Sequence, residues 1–589
     1  MELHAIEKPP LIKNETFSEH LFKWRNVFFL SLIIASFIFI LSRLFLLQVV
    51  KGQYYKIVSD ENRIRTQVLK AYRGVIKDRK GNILVQNSPA FNVKVNKEAI
   101  GFNSLIDKLS SFIDVSSLKD FEDFVIFENI DRDTAIKVET AFLRFSDVLV
   151  EVAPQREYLY PEEFAHILGY VSFISPEELE EKKELGYVNT DKTGVLGIEK
   201  VYDELLHGKH GNILSEYDSL GKVLREIART NPINGEDLIL SVDKDLQLLA
   251  YSALKKAIEE TGAFGGALVA QEPKTGEVLA LVSLPSFNPN LFSEGISEND
   301  YSIIANDPQT PLFNRVLMGN YPPGSVFKIV VASALLSENI VNADTKVSAP
   351  GAINIGNFFY RDWKVGGHGE VTVVRALAES ADTFFYKVVG GYSDFNNNLG
   401  PEKLALWTDK FGMDSSPFKK DPWYIGDSYI SAIGQGGVLA TPMQVNQTTA
   451  VIANGGYLIS PQMVFGDGLF ASELIKSHEL KPIIEKDVLE VVKKGLKEAC
   501  ALGGTGYYFF DFPTKHNGIE VACKTGTSEF GEKNAKGEYQ THAWFTIFAP
   551  LDDAQVVLTV FLEGGGGGAD VAAPVARELL DWWFEKRNL

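Results

Sequence analysis

The sequence predicts an α+β protein with an N-terminal membrane anchor, and three observations predict it. A long apolar stretch occurs near the start, short alternating strands and helices follow it, and paired strands with a last helix close the chain. Elements that are grouped in this way are typical of an antiparallel sheet covered by helices. The 589 residues are enough for two or more domains with cores of their own.

The apolar stretch is long enough to cross a bilayer. Residues 27–42, VFFLSLIIASFIFILS, carry no charge, and the apolar character continues to Val50. About twenty apolar residues span the hydrocarbon core. A cleaved signal peptide would start earlier and end at a small-residue cleavage site, and a buried core helix would keep a polar face. We therefore predict a retained transmembrane helix over residues 27–47, whose orientation the flanking positive charges do not decide.

The composition excludes several classes of function. The formal net charge of −19 would repel a phosphate backbone, so no nucleic acid is expected as a partner. No glycine-rich phosphate-binding loop opens a predicted helix. Cys500 and Cys523 are the only cysteines, and they form no CxxC or Cys/His pattern. We expect two separate thiols, with a disulfide as the alternative in an oxidising compartment.

Two large regions follow the apolar stretch. Residues 48–235 mix short strands with charged helical segments, and a Pro/Asn/Gly turn in NPINGEDLILSVD (231–243) marks a boundary before the larger region, 236–589. Patterns in the larger region predict two strand pairs and a last helix: GGALVAQEPKTGEVLALVSL (265–284), AWFTIFAP with QVVLTVFLE (543–563), and PVARELLDWWFEK (574–586). The expected domains are 1–26, 27–47, 48–235 and 236–589.

Three short motifs in the larger region carry hydroxyl, amine and carboxylate groups. The first, Ser325-Val-Phe-Lys328, follows two prolines and a glycine, so Ser325 lies at a helix start and Lys328 one turn later on the same face. The second is Ser380-Ala-Asp382, and the third is Lys524-Thr525-Gly526-Thr527. Each alone is more simply a helix cap, a solvated lysine or a turn. Their order and wide separation favour a shared site.

The three motifs together suit a serine nucleophile. A serine hydroxyl needs a base, and Lys328 can be that base if burial, a helix N-terminus and the second cation, Lys524, lower its pKa. Ser380 can relay a proton, and Asp382 can orient Lys328. The segment 524–527 has the pattern of an edge strand that can pair with an extended peptide and bind its carboxylate.

Ser-x-x-Lys, Ser-x-Asn and Lys-Thr-Gly in this order are the signature of penicillin-binding proteins and β-lactamases. Beyond the motifs, the chain resembles the class B penicillin-binding proteins, and within them the penicillin-binding protein 2 branch of rod-shaped, mostly Gram-negative bacteria, which uses Asp where Asp382 stands. The segments that carry this resemblance are YRGVIKDRKGNILVQN (72–87), GVLGIEKVYDELLHGKHG (194–211), NDPQTPLFNRVLMGNYPPGSVFK (306–328), RDWKVGGHGEVTV (361–373) and DPWYIGDSYISAIGQGGVLATPMQ (421–444).

The resemblance implies a fold, a reaction and a role for each motif residue. It implies an elongated pedestal, or dimerisation-type, module over 48–235 and a β-lactamase-like serine transpeptidase domain over 236–589. The implied reaction is D,D-transpeptidation of peptidoglycan during cell-wall elongation, with β-lactams mimicking the D-Ala-D-Ala end of the stem peptide. The implied catalytic residues are Ser325 as nucleophile, Lys328 as general base, Ser380 and Asp382 as relay pair, and Lys524; the implied substrate-binding residues are Thr525, Gly526 and Thr527.

The resemblance also implies partners and a location. The partners are peptidoglycan stem peptides, β-lactams, a RodA-type membrane glycosyltransferase and MreC. The location is the bacterial inner membrane, crossed once, with residues 1–26 in the cytoplasm and the bulk of the chain in the periplasm.

One departure from the resemblance concerns zinc. Some members bind zinc near the second motif through two aspartates, a histidine and a cysteine. Asp362 and His368 match two of those positions, whereas Ala381 replaces the cysteine and Ala349 the other aspartate. Two ligands do not make a structural zinc site. We predict no metal and no cofactor, and a structural role for His368.

The same motifs leave two alternatives open. A D,D-carboxypeptidase or β-lactamase would use water to resolve the acyl-enzyme. A non-catalytic receptor would be acylated by β-lactams as a sensor. The long pedestal and the anchor favour the transpeptidase over both.

Overall fold

The computed structural model confirms the predicted α+β class. It describes residues 16–56, 64–115, 118–121, 124–145, 147–217, 223–465, 481–533 and 537–586. Two compact units divide the chain, one formed by residues 1–70 with 210–232 and the other by residues 71–209 with 233–589. The domain boundaries expected at residues 27, 48 and 236 stay predictions.

The strands of the described residues range in length from two to fourteen residues. In chain order they are β1 (Ile64–Leu69), β2 (Ile76–Lys77), β3 (Ile83–Asn96), β4 (Lys119–Asp120), β5 (Phe124–Ile130), β6 (Val148–Tyr158), β7 (Val171–Phe173), β8 (Lys192–Gly194), β9 (Gly211–Tyr217), β10 (Val223–Thr230), β11 (Leu238–Ile239), β12 (Gly265–Gln271), β13 (Val278–Leu284), β14 (Val347–Ala349), β15 (Ala352–Ile355), β16 (Phe358–Arg361), β17 (Gly369–Val371), β18 (Ala522–Phe530), β19 (Gln540–Ala549) and β20 (Val556–Glu563).

The α-helices of the described residues are distributed over both halves of the chain. They are α1 (Thr16–Phe45), α2 (Phe102–Leu109), α3 (Arg132–Phe142), α4 (Pro161–Leu168), α5 (Pro176–Lys182), α6 (Gly197–Val201), α7 (Asp203–His207), α8 (Lys244–Thr261), α9 (Pro289–Ser293), α10 (Glu298–Ala305), α11 (Lys328–Ser337), α12 (Val373–Ala378), α13 (Asp382–Gly390), α14 (Gly400–Lys410), α15 (Ile425–Ala432), α16 (Pro442–Ala453), α17 (Lys486–Cys500), α18 (Phe512–Lys515) and α19 (Ala573–Glu585).

The first unit contains the apolar helix and a small sheet. Helix α1 continues into a π-helical turn at Leu46–Val50, and the segment Trp24–Val50 is long and apolar enough to cross a membrane. Its large apolar side chains are exposed, which suits contact with lipid. The predicted span, 27–47, lies inside this segment. The sheet has the antiparallel order β1-β9-β10.

A six-stranded sheet lies in the N-terminal part of the second unit. Its order is β11-β2-β3-β5-β4, and β6 pairs with the long strand β3. Helices α2 and α3 pack against β3 and β5 through Leu109, Val138 and Phe142, which are buried beside Val93 and Phe127. The predicted turn at 231–243 leads into β11 and then α8, as expected from its pattern.

A five-stranded antiparallel sheet forms the centre of the C-terminal part. Its order is β13-β12-β20-β19-β18. The predicted hairpin is the pair β12 and β13, and the predicted late strands are β19 and β20. Strand β18, which carries the third motif, lies at one end of this order. It therefore pairs with β19 along one side and leaves its other side available to a further strand.

Helices cover both faces of this sheet because its strands are apolar on both faces. Ala267 and Val269 of β12 belong to the apolar cluster that contains α11 and α16. The alternate residues of the same strand, Leu268 and Ala270, belong to the second apolar cluster, which contains α8 and α19. Successive side chains of a strand point to opposite faces, so one strand supplies both clusters. The predicted sheet covered by helices is confirmed.

Candidate active site

The first motif lies where a tight turn meets a helix. Ser325 is in the 3₁₀ turn Gly324–Phe327, and α11 begins at Lys328. Gly324 has a φ of 56°, and a Cβ on it would lie 2.9 Å from the carbonyl oxygen of Thr527. Glycine at this position therefore lets the third motif approach the turn that carries Ser325. The predicted position of Ser325 beside a helix start is confirmed.

The second motif connects two helices. Ser380 lies between the end of α12 and the start of α13 at Asp382, and it is buried. Its Oγ accepts hydrogen bonds from Lys328 Nζ at 3.1 Å and from Lys524 Nζ at 3.0 Å. Both lysines are fully buried. One hydroxyl therefore joins the first motif to the third.

The ammonium of Lys328 is completely surrounded by acceptors. It donates to Ser380 O at 2.9 Å, to Ser380 Oγ at 3.1 Å and to Asp382 Oδ1 at 2.5 Å. An ammonium group has three donors, so this set uses all of them. The contact between Asp382 and Lys328 has the orienting geometry that the sequence predicts.

The third motif provides a second buried amine. Lys524 Nζ also donates to Thr525 O at 3.0 Å. Burial, and after it the charge of the neighbouring Lys328, lowers the pKa of Lys524 well below that of a free lysine. Lys524 is thus an amine that readily exists without its extra proton.

The predicted residues come together around one cleft. The cleft has a volume of about 1160 Å³, and the predicted residues that line it are Ser325, Ser380, Asp382, Thr525, Gly526 and Thr527. Lys328 and Lys524 contact Ser380 from the buried side. Gly526 packs tightly, because a Cβ there would lie 3.1 Å from Pro323 O. The structure thus brings all eight predicted residues to one place.

Trp363, Glu379 and Thr505 are among the cleft residues that were not predicted. The backbone N–H of Trp363 donates to Asp382 Oδ2 at 3.3 Å, and its indole N–H donates to Glu379 O at 3.1 Å. Thr505 Oγ1 accepts a hydrogen bond from Thr525 Oγ1 at 2.8 Å. Glu379 directly precedes Ser380, which is a signal that could have drawn attention to it. Thr505 has no such signal, because it lies in a glycine-rich loop far from the motifs.

The expectation of two separate thiols is wrong. Cys500 and Cys523 form a disulfide, with their Cα atoms 5.7 Å apart. Cys500 is the last residue of α17, and Cys523 is the second residue of β18. These two elements pack together, so the side chains meet although 23 positions separate them in sequence. The bond fastens β18 at the residue before Lys524.

The residues near the second motif do not fit a zinc ion. Ala349 and Ala381 offer no donor side chain where the resemblance would place a carboxylate and a thiolate. The ring of His368 faces Asp362 Oδ1 with Nε2, at 3.0 Å, and Glu379 Oε2 with Nδ1, at 2.7 Å. The two ring nitrogens point in different directions, so these carboxylates do not converge with the ring on one ion.

Comparisons with protein families match both halves of the chain. The family described as penicillin binding protein transpeptidase domain matches residues 266–581. The family described as penicillin-binding protein dimerisation domain matches residues 68–240. Among similar curated proteins, the peptidoglycan D,D-transpeptidase MrdA of Escherichia coli K12 is 32% identical over 92% of this chain and 91% of its own length. The protein of the same name in Haemophilus influenzae is 30% identical over 93% and 89%.

Solved structures are similar over most of the chain. The complex of penicillin-binding protein PBP2 and MreC from Helicobacter pylori matches with a TM-score of 0.74 and 27% identity, over 89% of this chain and 99% of that one. The crystal structure of Pseudomonas aeruginosa PBP2 in complex with WCK 5153 matches with a TM-score of 0.65 and 29% identity, over 89% and 98%. A peptidoglycan synthase complex that coordinates polymerization and crosslinking contains a chain that matches with a TM-score of 0.69 and 27% identity, over 95% and 99%.

Proposed function

This chain belongs to the penicillin-binding protein family and is a peptidoglycan D,D-transpeptidase, and we propose that Ser325 is the residue on which it forms its acyl-enzyme. One observation carries the assignment. Ser325 lines the cleft shared by Ser380 and Thr527, one helical turn from the buried amine of Lys328. A hydroxyl in a cleft beside a buried amine is the arrangement that serine acylation needs.

The reaction consists of two acyl transfers. In the first, Ser325 Oγ attacks the carbonyl carbon of the penultimate D-Ala of a stem peptide, a C–O bond forms, and the peptide C–N bond breaks. The terminal D-Ala takes up a proton and leaves as an amine. In the second, the amine of a neighbouring stem peptide attacks the ester, and a new peptide bond replaces the bond to Ser325. A β-lactam undergoes only the first transfer at a useful rate, so it remains attached.

Lys328 is the general base in this scheme. Its three donors are all engaged, so it must release one proton before it can accept the proton of Ser325. Ser380 Oγ lies within hydrogen-bond distance of both lysines and offers a route for that proton. Ser380 lines the cleft, so the proton can pass from there to solvent, and the lowered pKa of Lys524 disfavours its retention on this second amine. Asp382 keeps Lys328 in place during the exchange.

The third motif is the substrate-binding strand. β18 lies at the end of the sheet order, and Thr525, Gly526 and Thr527 line the cleft. An extended stem peptide can therefore add to β18 as a further strand. The hydroxyls of the two threonines are suited to its terminal carboxylate, and the backbone N–H groups of Ser325 and Thr527 are suited to the developing oxyanion.

Two relatives support a proposal for the assembly and the location of the chain. A PBP2 similar to this chain is found in a complex with MreC, and another similar chain belongs to a peptidoglycan synthase complex. By analogy this chain works with MreC and with a RodA-type membrane glycosyltransferase in cell-wall elongation. The segment Trp24–Val50 is long and apolar enough to cross a membrane, which supports an anchor. By the same analogy the membrane is the inner membrane, with the N-terminus in the cytoplasm and the catalytic part in the periplasm.

Covalent labelling tests the nucleophile. The full-length chain in detergent, incubated with a fluorescent penicillin, should carry a stable label that Ser325→Ala abolishes. Ser333→Ala is the matched control, because Ser333 lies buried on the same helix and bonds only Ile329 O among the residues described. Circular dichroism should show both variants folded. Labelling of Ser325→Ala at the rate of the unmodified chain would disprove the assignment.

Turnover of stem peptides tests the reaction type. With a donor pentapeptide and an amine-bearing acceptor peptide, the unmodified chain should release D-Ala and yield a cross-linked product. Release of D-Ala without a cross-linked product would indicate a carboxypeptidase. Labelling without any peptide turnover would indicate a receptor.

A further inference from the structure

A buried imidazole lies between two carboxylates directly behind the second motif. His368 contacts Asp362 through Nε2 and Glu379 through Nδ1, at 3.0 and 2.7 Å. The side chains of His368 and Asp362 have no exposed surface, and that of Glu379 is 18% exposed. A ring that carries hydrogen on both nitrogens can donate to both carboxylates at once.

The two carboxylates hold opposite ends of the segment that contains Ser380. Glu379 precedes Ser380 in the chain. Asp362 Oδ2 accepts hydrogen bonds from the N–H and the Oγ1–H of Thr383, both at 3.0 Å, and Thr383 follows Asp382. Because His368 contacts both carboxylates, it closes a ring of contacts around Ser380, Ala381 and Asp382.

The ring of contacts encloses Ser380 and Asp382, the two residues that accept hydrogen bonds from Lys328. The Ser380 hydroxyl and the Asp382 carboxylate both accept hydrogen bonds from the Lys328 ammonium. Outside the ring of contacts, Arg375 Nε donates to Glu379 Oε1 at 2.5 Å. Burial alone would raise the pKa of Glu379, but hydrogen bonds from Arg375 and His368 outweigh it and lower this pKa to about 2. Glu379 is thus an anion at neutral pH and a strong hydrogen-bond acceptor for the imidazole of His368.

We propose that Asp362, His368 and Glu379 form a metal-free clasp that positions Ser380 and Asp382 against Lys328 for acylation of Ser325. The proposal rests on the function proposed above and assigns no contact with substrate to these three positioning residues. The clasp occupies the place where the resemblance would put zinc. Ala349 and Ala381 replace two of the expected zinc ligands, and the imidazole of His368 contacts two carboxylates instead. The contacts of His368 with the two carboxylates then do in this chain what coordination bonds would do around a metal.

The backbone of Ser380 explains why a clasp is needed. Its φ of 56° lies in a region that residues with a Cβ rarely occupy, so the segment would relax if its ends were free. A relaxed segment would move the Ser380 hydroxyl away from the two lysines. A displacement of about 1 Å in such a group lowers a reaction rate by about 100-fold.

Acylation kinetics of His368→Gln test the clasp. Glutamine carries both of its donors on one nitrogen and cannot reproduce the two separate ring nitrogens that face Asp362 and Glu379, so the ring of contacts opens. In the full-length chain in detergent, the rate constant for acylation by a fluorescent penicillin should fall by about 10- to 100-fold, while non-covalent affinity for the drug stays unchanged. An acylation rate equal to that of the unmodified chain would overturn the proposal.

A matched histidine provides the control for stability. His516 Nε2 contacts Asp581 Oδ1 at 2.7 Å, and Arg577 Nε contacts the same oxygen, which repeats the histidine, carboxylate and arginine of the clasp away from the cleft. His516→Gln should lower the unfolding temperature about as much as His368→Gln but leave acylation unchanged. Equal losses of acylation in both variants would show a merely structural effect and overturn the proposal.

Two further arms complete the test. If His368→Gln does not fold, Glu379→Gln, which keeps the side-chain shape, should still slow acylation, and an unchanged rate would overturn the clasp. Treatment of the unmodified chain with a zinc chelator should leave acylation unchanged, whereas a loss that added zinc restores would overturn a metal-free clasp. Failure of the nucleophile assignment is distinguished by persistent labelling of Ser325→Ala.

Discussion

Ser380 combines an unfavourable backbone with a central position in the site. Its φ of 56° costs a residue with a Cβ about 1–2 kcal/mol. The backbone N–H groups of Ser380 and Ala381 donate to Leu377 O and Ala376 O at 3.3 and 2.9 Å, which holds the turn. In this conformation the hydroxyl lies between two buried lysines. Strain of this kind is found at functional sites, where the surroundings determine the conformation.

Two substitutions of Ser380 distinguish the effect of its backbone conformation from the effect of its hydroxyl. Ser380→Gly and Ser380→Ala both remove the hydroxyl, but only glycine adopts this φ without strain. Ser380→Ala should therefore be less stable than Ser380→Gly by about 1–2 kcal/mol in denaturant unfolding of the full chain. Both should acylate slowly with fluorescent penicillin, because the lysines lose their shared acceptor.

Ser333 provides a control at which the stability difference between the glycine and alanine variants should have the opposite sign. It lies inside α11, where glycine is less stable than alanine by about 1 kcal/mol. Ser333→Gly should accordingly be the less stable member of that pair. Equal stabilities of Ser380→Gly and Ser380→Ala would contradict the backbone argument.

At the scale of elements, β18 is held from several sides. It pairs with β19 along its length, and Gly526 packs against the turn that carries Ser325. The disulfide fastens Cys523, one residue before Lys524, to the end of α17. If β18 accepts the substrate along its edge, as proposed, it benefits from being fixed elsewhere, because a rigid strand loses little entropy when a ligand binds.

Removal of the disulfide tests how much it stabilises this region. The double variant Cys500→Ala, Cys523→Ala should lower the free energy of unfolding by about 2–4 kcal/mol, mainly because the unfolded chain regains freedom. Denaturant unfolding of the full chain in detergent measures this. A reducing agent should destabilise the unmodified chain similarly and have no effect on the double variant. An unchanged unfolding midpoint in the double variant would rule out a stabilising bond.

At the scale of the whole molecule, anchoring and chemistry belong to different compact units. The apolar segment Trp24–Val50 is in the first unit. All eight predicted site residues are in the second, whose apolar clusters and sheets contain no part of that segment. The chemistry should therefore not depend on the membrane span.

Deletion of residues 1–50 tests this division. The full chain should sediment with membranes and require detergent for extraction, and salt or carbonate washes should not release it. The shortened chain should remain in the soluble fraction and still be labelled by fluorescent penicillin through Ser325. Loss of labelling in a folded, shortened chain would show that the span contributes to the site.

Much of the fold and most of the site were predictable from local patterns. The two apolar runs and the Pro-Lys-Thr-Gly turn between them in 265–284 depend only on neighbours in sequence, and they form the hairpin β12–β13. The motif residues could be chosen because their chemical types suit one reaction. Thr505 and the pairing of Cys500 with Cys523 were missed because each depends on which distant segment lies opposite it, whereas Glu379 was missed although it directly precedes Ser380.

The sequence by itself determined the apolar span, the α+β class and the choice of candidate reacting groups, since these follow from hydrophobic periodicity and side-chain chemistry. Only the tertiary structure decided that the Ser380 hydroxyl joins Lys328, 52 positions away, to Lys524, 144 positions away, and that His368 contacts two carboxylates. The reason is physical. Local preferences act over a few residues, whereas distances between remote side chains are set by how helices pack on the central sheet.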